Sequence, residues 1–546
     1  MGARETVKLM TVHRLLLVGA LAVAALMRYW SIDFGLPGKF RPDEGYLVYK
    51  GYRTLSGIFD PDFFIYPSLY IYTLGLVMLI AQTVGSLFGA FGGLSFAEFV
   101  EAAEMSTLYY LARLTTATLG VAGVFLTYLL GREAFGRDIG LIGAFLLALN
   151  FSHGRESHFA TTDIVVTTLI TLTLWRLLLL WRRDRLVDYL LVGAFTGLAC
   201  SSKYTAVVLV VPCLTAHILR IRDRRESMRS AFFWGRSFVA LAAGAIIFSF
   251  TSPYVYLNSD KFWTDINYIR SYSGEGQIGI SAQHMLSGWE WILGFGLRYA
   301  TGSLLGVLAV AGLFWVVHCA WQRREQRRLL IIPAYVVAVV SLYLWGEVLI
   351  FRYMAILMPV LCVTAAAITV STARRLLSYR GALAAASIVL ALSALDPVQR
   401  LISFNILAAE PDTRQQARQW IEENVRSRYP LVVRGRLKYT RPQVSRRWTF
   451  VSFEQFLRGR GRQVVFDDVF IIVDSHEIAA YSPPPPAAIG ALIEEEGELV
   501  ASFSPFVDGD AGAAVFDQSD AFYYPVAGFD AVSRPGPHIA IYRVRR

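Results

Sequence analysis

Between residues 12 and 396 the chain alternates long apolar runs with short clusters of Arg and Lys, and this alternation restricts it to a small set of folds. A helix that crosses a bilayer needs about 20 mostly apolar residues. The runs 12–30, 67–90, 108–130, 139–152, 164–181, 187–202, 203–219, 237–252, 298–320, 329–350, 353–372 and 381–396 reach or approach that length. The shorter ones must tilt or extend into their flanks. In hydrocarbon every backbone N–H and C=O has to be satisfied within the protein, so runs of this kind are helical. Only 17% of the residues are charged and 55% are hydrophobic, where a soluble chain carries about a quarter charged residues. Beyond 397 the composition turns polar and resembles an ordinary globular sequence. The expected organisation is a transmembrane domain over 1–397, with a long outer loop at 31–107, and a soluble extracytoplasmic domain over 398–546.

The net charge of +10 is concentrated in the links between apolar runs, among them Arg182-Arg183-Asp184-Arg185, the stretch 220–236, Arg323-Arg324-Glu325-Gln326-Arg327-Arg328 and Arg374-Arg375. That placement is the positive-inside signature of cytoplasmic loops. No basic stripe interleaved with aromatics calls for nucleic acid as a partner; membrane lipid is the expected surroundings. Arg4, Lys8 and Arg14 place the N-terminus in the cytoplasm. The first apolar run lacks a small-x-small cleavage site and reads as a retained span rather than a signal peptide.

A parity test follows. If 67–90 crosses alone, every basic loop falls outside; if it does not, all fall inside. The run 67–90 is therefore expected to lie at the outer interface, where Tyr66, Tyr70 and Tyr72 suit the headgroup zone. The prediction is a mainly α polytopic membrane protein with about eleven transmembrane helices, its C-terminal domain outside, in the plasma (inner) membrane.

The polar C-terminal part mixes two periods. Residues 415–425 read as a helix with Ala417, Trp420 and Ile421 on one face, and 487–496 as a second helix. Strands are expected at 431–433, 463–466 with 469–473, 499–503 and 538–544, which makes an extramembrane α/β domain. It reads as a structural or acceptor-presenting cap. The four cysteines, Cys200, Cys213, Cys319 and Cys362, lie in or beside apolar runs without metal-ligand spacing and read as small packing residues.

The strongest local signal for chemistry is Arg41-Pro42-Asp43-Glu44 in the first outer loop. A carboxylate near hydrocarbon is expensive, so adjacent acids at a membrane edge need a reason. One could act as a general base on a hydroxyl, or the pair could hold a divalent metal through oxygen. The same dipeptide is also a good helix start. Whether a metal is needed stays open, and no other cofactor is implied.

The motifs that follow carry a resemblance. Ile65-Tyr66-Pro67-Ser68-Leu69-Tyr70-Ile71-Tyr72 comes next, then Tyr110-Leu111-Ala112-Arg113-Leu114 opening a run, His158-Phe159-Ala160-Thr161-Thr162-Asp163, Lys203-Tyr204, and Arg352-Tyr353 with Pro359 in a later run. Asp412-Thr413-Arg414 and Trp420-Ile421 extend the series. In this order the motifs resemble glycosyltransferase family 39 and its relatives, the C-type membrane glycosyltransferases, which include protein O-mannosyltransferases and the transferases that add aminoarabinose to lipid A. The departure is Tyr66-Pro67-Ser68, where relatives often have a second proline. The resemblance implies the C-type fold and an inverting transfer of a hexose or pentose from a polyprenyl-phosphate sugar to a hydroxyl acceptor on protein, lipid or glycan, outside the membrane. It implies that Asp43 acts at the reaction centre, that Glu44 completes the motif, and that Asp163 is a second acid in the next outer loop.

The residues themselves also point to a lipid phosphate. Arg113, Lys203, Arg298 and Arg352 sit at the outer ends of runs in a chain most of whose cations lie inside. A polyprenyl-phosphate leaving group is an anion at that depth, which arginine holds bidentately and lysine as a point charge. Snorkelling toward lipid headgroups is the alternative. His158, with His153, could join the phosphate site or serve as an interfacial hydrogen-bonder. Tyr254, Tyr256, Trp263, Tyr268, Tyr272, Trp289 and Trp291 could stack on sugar or form the aromatic belt, around a mobile Ser273-Gly274-Glu275-Gly276. The rival function is a transporter or flippase of lipid-linked sugars, which would show inverted repeats and charges at mid-membrane.

Overall fold

The computed structural model describes residues 3–87, 105–224, 231–275, 288–346, 348–434, 440–459, 468–478, 481–520 and 522–545. They form two compact units. One draws on Met1–Ile32, Tyr46–Gln277 and Ser281–Leu401, the other on Asp33–Gly45 and Ile402–Arg546.

The first unit is helical, and over its described residues each apolar run of the sequence lies largely on helix. Helix α1 is Ala3–Tyr29, α2 is Pro42–Thr54 and α3 is Leu69–Leu87. Later helices include Met105–Phe135, Arg137–Ala148, Thr162–Arg183, Leu186–Ser202, Ala231–Thr251, Ser303–Gln322, Ile331–Trp345, Met358–Leu376 and Tyr379–Ala409. Among the described residues eight helices are long and apolar enough to cross a membrane, and three shorter apolar ones accompany them. Helix α3 is one of the eight. Charge parity sets it aside as an interfacial helix, but its 19 mostly apolar residues have the length and composition of a span. Tyr70, expected in the headgroup zone, is fully buried. Its hydroxyl lies 2.6 Å from Thr116 Oγ1, because a buried phenol needs a hydrogen-bond partner.

Small residues let these helices approach closely. A Cβ on Gly193 would fall on the carbonyl oxygen of Ala240, and one on Gly197 on that of Gly244. Leu186–Ser202 and Ala231–Thr251 thus meet along two small-x-x-x-small faces, which replace hydrophobic driving force inside lipid with van der Waals contact.

The second unit is built on a five-stranded sheet in the order β2-β1-β3-β5-β4, where β1 is Leu431–Val433, β2 Phe450–Ser452, β3 Asp468–Ser475, β4 Gly497–Phe503 and β5 His538–Arg545. Strand β1 runs parallel to β2 and β3, and β5 antiparallel to β3 and β4. The two-residue period divides the core. Leu431, Val433, Phe470, Ile472, Ile539 and Ile541 meet Ala417 and Ile421 from the helix Thr413–Asn424 and Val425 at its C-terminal end. On the opposite face Val432, Val469, Ile471 and Val544 meet Phe453, Ile489 and Leu492. The strands expected at 431–433, 469–473, 499–503 and 538–544 are present, as are both helices. The strand β2 and the helix Phe453–Gly459 were not foreseen. The strand expected at 463–466 lies outside the described residues.

The helix Thr413–Asn424 starts on a capping box. Asp412 Oδ1 accepts the Arg414 N–H at 2.8 Å, and the Asp412 N–H donates to Gln415 Oε1 at 3.0 Å. Two of the backbone donors left over at a helix start are satisfied by this exchange.

Candidate active site

The acidic pair opens α2. Pro42 occupies the first turn, where its fixed φ and missing N–H cost nothing, and Asp43 and Glu44 follow in the same turn. Carboxylates are favoured there by the helix dipole. Glu44 is fully buried, whereas Asp43 is partly accessible. Of the two, Asp43 is the one open to solvent.

The segment before the pair is fastened within its own unit. Gln415 Nε2 donates to the carbonyls of Gly35 and Leu36 at 3.0 Å each. Gln443 makes a reciprocal pair with Lys39, accepting its N–H and donating to its C=O at 2.9 Å each. Arg41 donates to Asp520 Oδ1 at 2.6 Å, and its guanidinium stands 4.7 Å from the Phe522 ring centre. Arg414, locked to Asp412 through two nitrogens, covers the ring of Phe40 at 3.9 Å.

A second polar group lies in the helical unit, in the segment 150–163. Asn150 caps the short helix Phe151–Glu156 by accepting the His153 N–H, and its amide donates to Ala300 O at 2.8 Å. Arg155 and Glu156 form an ion pair, both fully buried, with Arg155 over the rings of Phe351 and Phe159. His153 Nδ1 lies 2.9 Å from Arg28 Nη2 and therefore accepts. His158 is buried with Nδ1 2.9 Å from Gly154 O and Nε2 3.0 Å from Trp30 O. Burial pushes the His158 pKa down to about 4; the two carbonyls pull upward, and Arg28 and Arg113 push further down. The ring is neutral at pH 7 and carries one N–H, so only one of the two carbonyls accepts a hydrogen bond in a given tautomer and the other faces a ring lone pair.

The cations expected at the donor phosphate divide into two kinds. Arg113 is buried and donates to Ile32 O at 3.1 Å. Lys203, which ends the helix Leu186–Ser202, donates to Asp163 Oδ1 at 2.6 Å. Its Nζ lies 4.8 Å from the ring centre of Tyr353. Arg352 is buried beside Tyr353. Tyr343 stacks on that tyrosine and donates to its carbonyl at 2.6 Å. Arg298, by contrast, is exposed and lies over its neighbour Tyr299. Arg298 is the exposed one of the four; the other three are withdrawn into protein.

Sequence reasoning overlooked Arg28, the pair Arg155 and Glu156, and the partners of the first loop. The adjacent opposite charges of Arg155-Glu156 in a short link between two apolar runs were a legible signal. Among the described residues no three His, Cys, Asp or Glu side chains are grouped to hold a metal ion. The segment expected to be mobile at 273–276 is helical through Glu275, the end of Ser259–Glu275, and Gly276 lies outside the described residues. Of the aromatics around it, Trp263, Tyr268 and Trp289 are exposed, while Trp291 is buried.

The comparisons with known proteins agree with this architecture. Residues 105–254 match the sequence pattern of the family described as dolichyl-phosphate-mannose-protein mannosyltransferase. No curated protein matches the chain by sequence. In structure the chain is similar to ArnT from Cupriavidus metallidurans, solved with undecaprenyl phosphate, at a TM-score of 0.55 and 15% identity over 96% of this chain and 97% of that one. It is also similar to the apo oligosaccharyltransferase of Archaeoglobus fulgidus, with a TM-score of 0.50 and 15% identity over 77% of this chain and 62% of that one. With its apolar helices, its extramembrane sheet and the family pattern at 105–254, the chain is a membrane protein of the C-type glycosyltransferase fold.

Proposed function

We propose that the chain is an inverting glycosyltransferase that moves a sugar from a polyprenyl-phosphate donor to a hydroxyl acceptor on the outer face of the membrane. One observation carries the reading. Arg113 within the helix Met105–Phe135, Lys203 at the end of Leu186–Ser202 and Arg352 in the short helical turn Phe351–Leu357 are drawn inside the helical unit instead of reaching for solvent. Guanidinium and ammonium groups turned inward in this way can offer charge-assisted hydrogen bonds to an anion that enters the unit. The phosphate of a lipid donor is an anion at that depth, and the similar ArnT was solved with undecaprenyl phosphate bound.

In the proposed reaction the acceptor hydroxyl attacks the anomeric carbon from the face opposite the phosphate. A carbon–oxygen bond forms to the acceptor, the bond to phosphate oxygen breaks, and the configuration inverts. Asp43 takes the hydroxyl proton as attack proceeds. Polyprenyl phosphate departs with the electron pair, and Arg113 and Arg352 balance its growing charge. Lys203 is held on Asp163 in the resting structure, so Asp163 sets the ammonium's position while damping its charge. His158 would have to turn one ring nitrogen away from the carbonyl of Gly154 or Trp30 to donate to the phosphate, and Glu44 steadies the first turn of α2.

The test uses purified protein and a panel of synthetic polyprenyl-phosphate sugars, with membranes from cells lacking the gene as acceptor source. Transfer of label with release of polyprenyl phosphate, and a product anomer opposite to the donor's, is the expected result. Turnover of no donor would overturn the reading.

A further inference from the structure

The α/β region has no part in the reaction as written, yet it grips the segment that carries the acid pair. Three anchors fall within seven residues, at Gly35–Leu36, Lys39 and Arg41. They come from Gln415, Gln443 and Asp520, which only the tertiary fold of that unit brings to one place. The last anchor is two residues from Asp43, with Pro42 between them, whose ring fixes φ. The Arg41 and Asp520 side chains are 1% and 9% exposed, so the ion pair is directional and poorly screened. Phe34 packs edge-on against Phe522 and Tyr524, and Phe40 lies under the clamped Arg414. Where Arg41 stands therefore decides where the first turn of α2 begins.

We infer that the C-terminal domain positions the proposed base: Asp520 through Arg41, and Gln415 and Gln443 through the backbone of 35–39, set the place of Asp43. This rests on the reading of Asp43 as the base. Asp520, Gln415 and Gln443 are positioning residues and touch no reacting atom. Asp520→Asn keeps the shape of the anchor and removes its charge; Asp520→Glu keeps the charge.

The experiment measures full-length protein in detergent with the panel donor that the wild type turns over, in parallel with Asp43→Asn. Asp520→Asn is expected to lower kcat by about 10–100-fold, the effect of a misplacement near 1 Å, with the KM for donor unchanged. Hydrogen exchange over 33–45 should rise while the helical unit stays protected, and Asp520→Glu should recover part of kcat. Gln443→Ala, at an exposed anchor, should give a smaller fall of the same kind and keeps the test available if Asp520→Asn does not accumulate. Faster exchange over 33–45 with an unchanged kcat would overturn the inference and leave a purely structural attachment. A fully active Asp43→Asn would instead remove the reading on which it rests, and the two failures are distinguishable.

Discussion

Lys203 donates to Asp163 across 2.6 Å, joining the end of the helix Leu186–Ser202 to the first turn of Thr162–Arg183, with the two side chains 13% and 2% exposed. Breaking such a pair by removing one partner strands a charge in a medium of low dielectric and costs about 3–5 kcal/mol. Lys203→Met should therefore lower thermal stability in detergent. Lys203→Met combined with Asp163→Leu should recover most of that stability and none of the transfer activity. A double variant with normal transfer would make the pair purely structural.

Asp43→Asn should fold, insert and bind donor, yet lose transfer by about 10²–10⁴-fold, the scale of a general base. Glu44→Gln and Asp163→Asn should cost less, since neither takes the proton. Steady-state transfer by the three purified variants decides the matter. An active Asp43→Asn beside an inactive Glu44→Gln would move the role to the buried acid, and full activity in all three would revive the transporter reading.

Arg113→Ala and Arg352→Ala each remove a buried guanidinium. A charge-assisted hydrogen bond contributes about 1.5–3 kcal/mol, so each should reduce turnover at limiting donor tenfold or more. Arg298→Ala, at an exposed side chain, should lose less. Equal activity of all three variants and the wild type at low donor concentration would contradict a phosphate site built from Arg113 and Arg352.

His476 sits among the rings of Phe516 and Tyr523 at 4.5 and 4.7 Å. Its Nδ1 accepts the Ile478 N–H at 3.1 Å. Burial, and secondarily Arg414, push its pKa down from 6.5 to about 3. The folded state thus holds the neutral ring while the unfolded chain takes up a proton below pH 6.5. The associated stability is present above 6.5 and is lost as pH falls toward 3. One proton corresponds to about 1.4 kcal/mol per pH unit. His476→Asn keeps an acceptor and removes the titration, so hydrogen exchange of the β3–β5 ladder should become less sensitive to pH in that window. The buried Asp474, whose pKa burial raises, titrates in both proteins and cancels in the comparison. An identical pH response in the two would refute the assignment.

Cysteines introduced into the loops 182–185, 220–236 and 323–328 of a variant lacking the four native cysteines should react only with reagents that reach the cytoplasm. Cysteines at 45, 275 and 450 should label from outside. Outside labelling at 323–328 would mean that α3 crosses the membrane.

What could be read along the chain was whatever repeats locally or is costly in its place. Twenty apolar residues in a row specify a membrane helix because unsatisfied backbone is intolerable in lipid. The unbroken apolar runs at 431–433 and 469–473 mark strands covered on both faces, because successive side chains point to opposite sides. The acid pair at 43–44 and the cations at 113, 203 and 352 stood out because charge at a membrane boundary needs a reason. Tertiary structure alone decided who meets whom. Arg41 and Asp520 are 479 residues apart, and Lys39 and Gln443 404 apart. No local period encodes such pairs, since a side chain's partner is chosen by packing of the whole chain. The same packing separated Arg298 from Arg113 and Arg352, which look alike in sequence. It also assigned the loop bearing Asp43 to the unit built by the C-terminal region, because that is where its buried arginine finds a carboxylate.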